Sequence, residues 1–128
     1  KGDDNQTTKI ATKALEIIYN NGLENTDVAA GLWSDLGLEA TFKRNYTDGE
    51  LYYKNSINIY ESYEKISNLY TYYSNLLGLS AIYIRLGKFD ESLEYLKKTK
   101  TFLDSTPNMM EMAYGDYYYY LGDYFFIY

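Results

Sequence analysis

Residues 76–103 carry two helical hydrophobic patterns separated by one glycine, and this segment constrains the fold of the whole chain. Before the glycine, Leu76, Leu79 and Tyr83 recur at the spacing of one buried helix face. Gly87 ends that pattern, and we expect it to adopt the left-handed conformation that is common at helix C-termini. A hairpin of this length cannot bury both of its apolar stripes alone. The pattern therefore predicts neighbouring helices of the same kind.

Sequence repetition is visible on both sides of this hairpin. The pattern Tyr-x-x-Leu-Gly ends at Gly87 and again at Gly122, 35 residues later. Towards the N-terminus, residues 33–37 (Trp-x-x-Leu-Gly) correspond to residues 76–80 (Leu-x-x-Leu-Ser), at an offset of 43 residues. Three copies in register therefore cover most of the chain.

These residues resemble the tetratricopeptide repeat family, whose pattern is an aromatic residue, Leu-Gly, Tyr, and later a small residue and an aromatic residue. The residues that carry the resemblance are Trp33, Leu36, Gly37, Gly49, Tyr53 and Ser56 in the first copy, Leu76, Leu79, Tyr83, Gly87, Phe89, Ser92 and Leu96 in the second, and Tyr114, Gly115, Tyr118, Gly122 and Tyr124 in the third. Arg44 stands where the family usually has its turn glycine.

The resemblance implies an all-α fold, a right-handed α–α superhelix (a solenoid) of antiparallel helix pairs. We expect a single domain, which begins with the second helix of a preceding repeat at residues 1–29. Two repeats follow at residues 30–72 and 73–107, and a truncated repeat at residues 108–128. Because both ends interrupt a repeat, we expect the chain to be a segment of a longer protein.

Hydrophobic periodicity and turn residues also predict the individual helices, and no alternating strand pattern competes with them. The expected helices are residues 7–20, 28–45, 48–66, 69–86, 88–103 and 109–121, with a further one starting at residue 123. Residues 1–5 are expected to form a polar turn. Thr26 and Asp48 are the predicted N-caps, and Gly22 is a predicted left-handed C-terminal residue.

Composition narrows the classes of function. The net charge is −6 and the basic residues are scattered, which disfavours nucleic acid as a direct partner because phosphate binding needs a concentrated basic face. Histidine and cysteine are absent, so the commonest general base, thiolate nucleophiles and the usual metal ligands are missing. No apolar run approaches the length of a membrane span. We therefore expect no enzyme, no metal, no cofactor and no membrane insertion by this segment.

The eighteen tyrosines are the unusual feature of the composition. They could fill the edge of a helical core, with their hydroxyl groups reaching polar partners, or they could form an aromatic platform for a glycan. Adjacent tyrosines on a helix point about 100° apart, so the run at residues 117–120 cannot form one flat platform. We expect tyrosine to serve mainly in packing.

In the family, the first helices of successive repeats line a concave groove that receives a peptide or a partner's helix. The resemblance implies that the matching residues line a groove here: Ser34, Leu38, Thr41 and Phe42 in the first copy, Leu77, Ala81, Ile84 and Arg85 in the second, and Met112, Asp116, Tyr119 and Tyr120 in the third. Each set has the spacing i, i+4, i+7, i+8 and can share one helix face. Trp33, Leu36, Leu79 and Tyr83 would face the core.

The expected function is therefore a non-catalytic scaffold that binds a protein or peptide in this groove. The alternative is a ligand-sensing regulatory segment of a larger signalling or transcription-regulatory protein, and a third interpretation is glycan binding through tyrosines. The helices at residues 7–20 and 109–121 would each expose an apolar stripe, so we also expect head-to-tail self-association through these ends. The sequence leaves the cellular compartment open.

Overall fold

A computed structural model describes residues 2–106, 115–119 and 121–122, and these residues form helices and turns with no strand among them. The helices are α1 (Gly2–Asn20), α2 (Asp27–Phe42), α3 (Tyr46–Glu61), α4 (Leu69–Arg85) and α5 (Phe89–Asp104). Residues 115–119 and 121–122 are helical as well. The predicted all-α class is confirmed. The chain divides into two compact units, an N-terminal unit of residues 1–72 and a C-terminal unit of residues 73–128.

Three of the predicted helix boundaries are wrong, and one of them is the end of α2, which lies at Phe42 and not at residue 45. α1 begins at Gly2, so residues 2–5 are helical and do not form a polar turn. α3 ends at Glu61 and does not continue to residue 66. The hydroxyl of Ser62 donates to the carbonyl of Ile59 at 2.6 Å, and Tyr63 donates its own hydroxyl to a backbone carbonyl outside the helix.

The predicted N-cap at Thr26 is confirmed, and the one at Asp48 is wrong. The hydroxyl of Thr26 accepts a hydrogen bond from the N–H of Ala29 at 3.4 Å, which satisfies one of the free donors at the start of α2. In α3 the N-cap position belongs to Asn45, and Asp48 lies inside the first turn. The side-chain amide of Asn45 donates to the Asp48 carboxylate at 2.7 Å.

Three turn residues adopt the left-handed conformation. Gly22 has φ 69° and Gly87 has φ 74°, as predicted from their positions at helix ends. Arg44, between α2 and α3, has φ 61°, although arginine has a Cβ that disfavours this region. Arg44 and Gly87 lie 43 residues apart, which is the offset found in the sequence.

The N-terminal unit is built from α1 packed on α2 and α2 packed on α3. Ala11 and Leu15 of α1 are buried together with Leu36 of α2. At the edge of this cluster, the indole of Trp33 stacks on the ring of Tyr52 with centroids 5.7 Å apart. These contacts hold one face of α1 against α2.

Close approach of α2 and α3 depends on two small residues. A Cβ atom on Gly37 would lie 2.8 Å from Cδ1 of the Tyr53 ring, so only glycine allows this contact. The hydroxyl of Ser56 in α3 donates to the Ala30 carbonyl in α2 at 2.7 Å, and the serine is fully buried. The helices are therefore joined by a ring-to-backbone contact and a directional hydrogen bond.

In the C-terminal unit, α4 and α5 form the helix pair predicted from the Gly87 turn. The hydroxyl of buried Ser92 in α5 donates to the Ser80 carbonyl in α4 at 2.9 Å. Leu96 and Leu103 of α5 are almost completely buried, in one cluster with residues of α4 and Tyr117.

Tyrosine side chains contribute strongly to the interiors of both the N-terminal and the C-terminal unit. Six described tyrosines are buried: Tyr53, Tyr60, Tyr72, Tyr73, Tyr83 and Tyr117. Their hydroxyl groups can still form hydrogen bonds to polar partners. The hydroxyl of Tyr72, for example, donates a hydrogen bond to the Glu61 carboxylate. The expected packing role of tyrosine is confirmed for these residues.

Candidate functional site

The predicted groove residues of the first copy all lie on α2, and two of them are well exposed. Leu38 is 50% exposed and Phe42 is 78% exposed, the latter an unusual position for a large aromatic side chain. Ser34 and Thr41 are half-buried, and the hydroxyl of Thr41 donates to the Gly37 carbonyl at 2.8 Å. The exposed pair can contact a partner without any rearrangement of α2.

Leu77 and Ile84 from the second copy are core residues and do not line an open groove. They are 3% and 4% exposed and pack in the same cluster as Leu96. Ala81 is half-buried, and the side chain of Arg85 is exposed. Leu77 and Ile84 are therefore not open to a partner on the surface of α4.

The third set is only partly described. Asp116 is half-buried, and its carboxylate accepts a hydrogen bond from the hydroxyl of Tyr73 at 2.9 Å. Tyr119 is 71% exposed. Met112 and Tyr120 lie outside the described residues. Asp116 therefore has a structural partner inside the C-terminal unit.

One acidic residue accompanies the exposed apolar pair on α2. Asp35 lies three residues before Leu38 and seven before Phe42, a spacing that places all three on one side of the helix. Asp35 is exposed, yet partial desolvation raises the pKa of its carboxyl group. We call Asp35, Leu38 and Phe42 the α2 strip.

A second exposed apolar surface lies on α1. Ile10 is 62% exposed and Ile17 is 55% exposed, and half-buried Ala14 lies between them on the same side of the helix. Lys9 and Lys13 border this surface, and an open groove runs along all five residues. We call these five residues the α1 strip. Exposure of an apolar stripe on this helix was predicted, and the structure identifies its members.

A small polar pocket of about 110 Å³ separates α1 from the start of α3. Glu39 accepts a hydrogen bond from the Thr8 hydroxyl and an ion-pair contact from Lys43 at 2.9 Å. The Thr8 hydrogen bond, followed by Lys43, lowers the pKa of Glu39 below its ordinary value. The polar groups at this pocket satisfy one another, and we interpret the pocket as a structural junction between α1 and α2.

This junction predicts a contribution to acid stability. Because the pKa of Glu39 is lower in the folded than in the unfolded chain, its stabilisation is complete above pH 4.5 and is lost as the pH falls through the folded pKa. We expect Glu39→Gln to cost about 1 kcal/mol at neutral pH. The same variant should flatten the loss of stability below pH 4.5. Urea unfolding at several pH values, followed by Trp33 fluorescence, measures both effects.

Thr8→Val provides the matched variant for this measurement. It removes the larger cause of the lowered pKa and leaves the carboxylate and Lys43 in place. The acid transition should therefore move towards higher pH. An unchanged pH profile in both variants would show that this junction does not contribute to stability.

The remaining chemistry of the described surface is limited. Within the described ranges, no group of three or more acidic side chains is placed to hold a metal ion. The structure likewise has no helix, among those it describes, with the length and apolarity needed to cross a membrane. The two strips are thus the features of the N-terminal unit that best fit contact with another molecule.

A scan against protein-family models and searches of curated proteins and of solved structures found no match to this chain.

Proposed function

We propose that the chain is a non-catalytic scaffold that binds a segment of another polypeptide on the α2 strip. The observation that carries the proposal is the exposure of Phe42 and Leu38, one turn apart on a helix whose other face is well packed. Exposed large apolar side chains of this kind favour recognition of an amphipathic helix or an extended peptide, in which a few anchors dominate the affinity.

We further propose that the helix pairs belong to a right-handed solenoid like that of the tetratricopeptide repeat family. Equivalent features 43 residues apart support this: Arg44 and Gly87 both have positive φ, and Gly37 and Ser80 are both small buried residues of a first helix. Such stacks present extended surfaces formed by their first helices. The α2 strip lies on the first helix of its pair.

The proposal is tested by panning a library of displayed helical peptides against the chain and measuring the affinity of the enriched peptides. Phe42→Ala is expected to weaken binding at least about tenfold, because it removes the largest exposed apolar anchor. Leu51→Ala is the matched control, since Leu51 is a similarly exposed residue (54%) on α3, and it should leave the affinity unchanged. If neither Phe42→Ala nor Leu38→Ala changes the affinity of the enriched peptides, the α2 strip is excluded as the binding surface.

A further inference from the structure

The α1 strip and the α2 strip of the N-terminal unit have opposite charges at their borders. Lys9 and Lys13 border the exposed isoleucines of α1, and both lysines are exposed in a chain of net charge −6. The α2 strip combines Asp35 with Leu38 and Phe42. The α1 strip thus has an apolar centre bordered by two lysines, with Glu16 beside them, and the α2 strip has an apolar centre bordered by Asp35.

The two strips also match in length. Lys9 and Ile17 are separated by about 12 Å along the axis of α1, and Asp35 and Phe42 by about 10 Å along α2, at a rise of 1.5 Å per residue. Ile10 and Ile17 lie two turns apart on α1, and Leu38 and Phe42 lie one turn apart on α2, so the apolar centre of the α1 strip is long enough to cover that of the α2 strip. The opposite charges favour this pairing over pairing of like strips.

Geometry prevents the strips from meeting within one molecule. α1 contacts α2 through Ala11 and Leu15, and these residues lie on the side of α1 away from Ile10 and Ile17. Leu36 receives this contact on α2, and it is buried while its neighbours Asp35 and Leu38 are exposed. A contact between the strips therefore requires two copies of the chain.

We propose that the α1 strip of one copy docks on the α2 strip of a second copy. This inference rests on the proposed function, because it names the partner of the α2 strip as the chain itself. The contact is heterologous, since different surfaces of the two copies meet, and each added copy leaves one free strip of each kind. The interface is small, so the association is weak and concentration-dependent. The ends of the chain beyond α5 are not needed for it.

Sedimentation velocity over a wide range of concentrations, ending near the millimolar range, tests the contact directly. The unmodified chain should show a mean sedimentation coefficient that rises with concentration without levelling at a dimer. Phe42→Asp and Ile17→Asp should each abolish this rise, because each places a charge in the apolar centre of a different strip. Far-UV circular dichroism of each variant verifies that the helices are retained.

A charge exchange provides the decisive control. Lys13→Glu and Asp35→Lys should each weaken self-association about threefold to tenfold, as expected for a charge at the border of an interface. When the two single variants are mixed, the α1 strip that carries the new glutamate fits the α2 strip that carries the new lysine, and association should be restored. Two variants that are weak alone and remain weak when mixed would overturn the proposed pairing.

The outcomes separate this inference from the proposed function. A chain that stays monomeric at the highest concentration overturns self-docking, whereas displayed peptides that depend on Phe42 would still support binding of another polypeptide. If self-association is unchanged in both Phe42→Asp and Ile17→Asp, the proposed contact is overturned and another surface must be responsible. Loss of both self-association and peptide enrichment rejects the two proposals together.

Discussion

Gly37→Ala is expected to destabilise the N-terminal unit by about 2 kcal/mol, even though alanine is the better helix former. The new Cβ would lie 2.8 Å from Cδ1 and 2.9 Å from Cε1 of the Tyr53 ring. This ring is only 5% exposed, so it has no free space into which it can move. The clash must be relieved by separating α2 from α3, which also weakens the hydrogen bond from Ser56 to Ala30.

Gly31→Ala is the matched control in the same helix. A Cβ at Gly31 meets no atom within 4 Å, so the substitution should stabilise the unit by up to about 1 kcal/mol through helix propensity alone. Urea unfolding of both variants can be followed by the fluorescence of Trp33, the single tryptophan, which is stacked on Tyr52 in this unit. If the two substitutions move the midpoint in the same direction, the close contact between Gly37 and Tyr53 is not a determinant of stability.

Leu96→Ala is expected to destabilise the C-terminal unit by about 3 kcal/mol. Leu96 is fully buried and shares its cluster with Tyr73, Leu103 and Tyr117, so truncation leaves a cavity between α4, α5 and the helical residues that follow. Because this unit has no tryptophan, its unfolding is best followed in urea by circular dichroism, with the tyrosine signal in the near ultraviolet as a second probe.

The matched control for this prediction is Leu86→Ala in the same unit. Leu86 is 36% exposed and lies just beyond the end of α4, so its truncation should change the free energy of unfolding by less than about 0.5 kcal/mol. If the two variants lose similar amounts of the free energy of unfolding, the structure around Leu96 must rearrange easily to fill the space left by the truncated side chain.

The helix order and the left-handed glycines could be predicted because they depend on local properties. Gly22 and Gly87 follow helical hydrophobic patterns, and a residue without a Cβ is favoured where the chain reverses. Arg44 could be located only through the repeat, since arginine has no intrinsic preference for positive φ. Arg44 lies 43 residues before Gly87, but the hydrophobic pattern predicted a helix over residues 28–45 and so missed this turn.

The end of α3 could not be predicted from periodicity. Tyr63 continues the apolar pattern of the helix, and this favoured a helix that extends to residue 66. In the structure its hydroxyl donates to the carbonyl of Asn25, in the loop before α2, so a contact distant in sequence determines its position. A helix pattern alone contains no information about such a partner.

The misplaced groove residues on α4 show the limit of carrying a family pattern onto single positions. Leu77 and Ile84 were assigned to an open face because they match the groove positions of the family, and Leu79 and Tyr83 were assigned to the core. All four are buried, together with Leu76 and Ile82. Residues 76–84 of α4 carry no charged side chain, a pattern typical of a helix segment that is buried on more than one side, and this signal was already present in the sequence. α2, with charged and polar residues on one side, keeps an exposed face on which the predicted groove residues Leu38 and Phe42 remain open.

The serine hydrogen bonds have a mechanical consequence for both helix pairs. Ser56 and Ser92 each join the second helix of a pair to a carbonyl of the first, at 2.7 and 2.9 Å. Apolar surfaces tolerate small axial displacements, whereas sliding by two or three ångströms, about half a helical turn, would leave a buried hydroxyl without its acceptor. Each of these hydrogen bonds therefore resists sliding of one helix along the other. When force is applied along the helix axes of such a pair, we expect little displacement until the hydrogen bond breaks. The two helices are then expected to separate in one step.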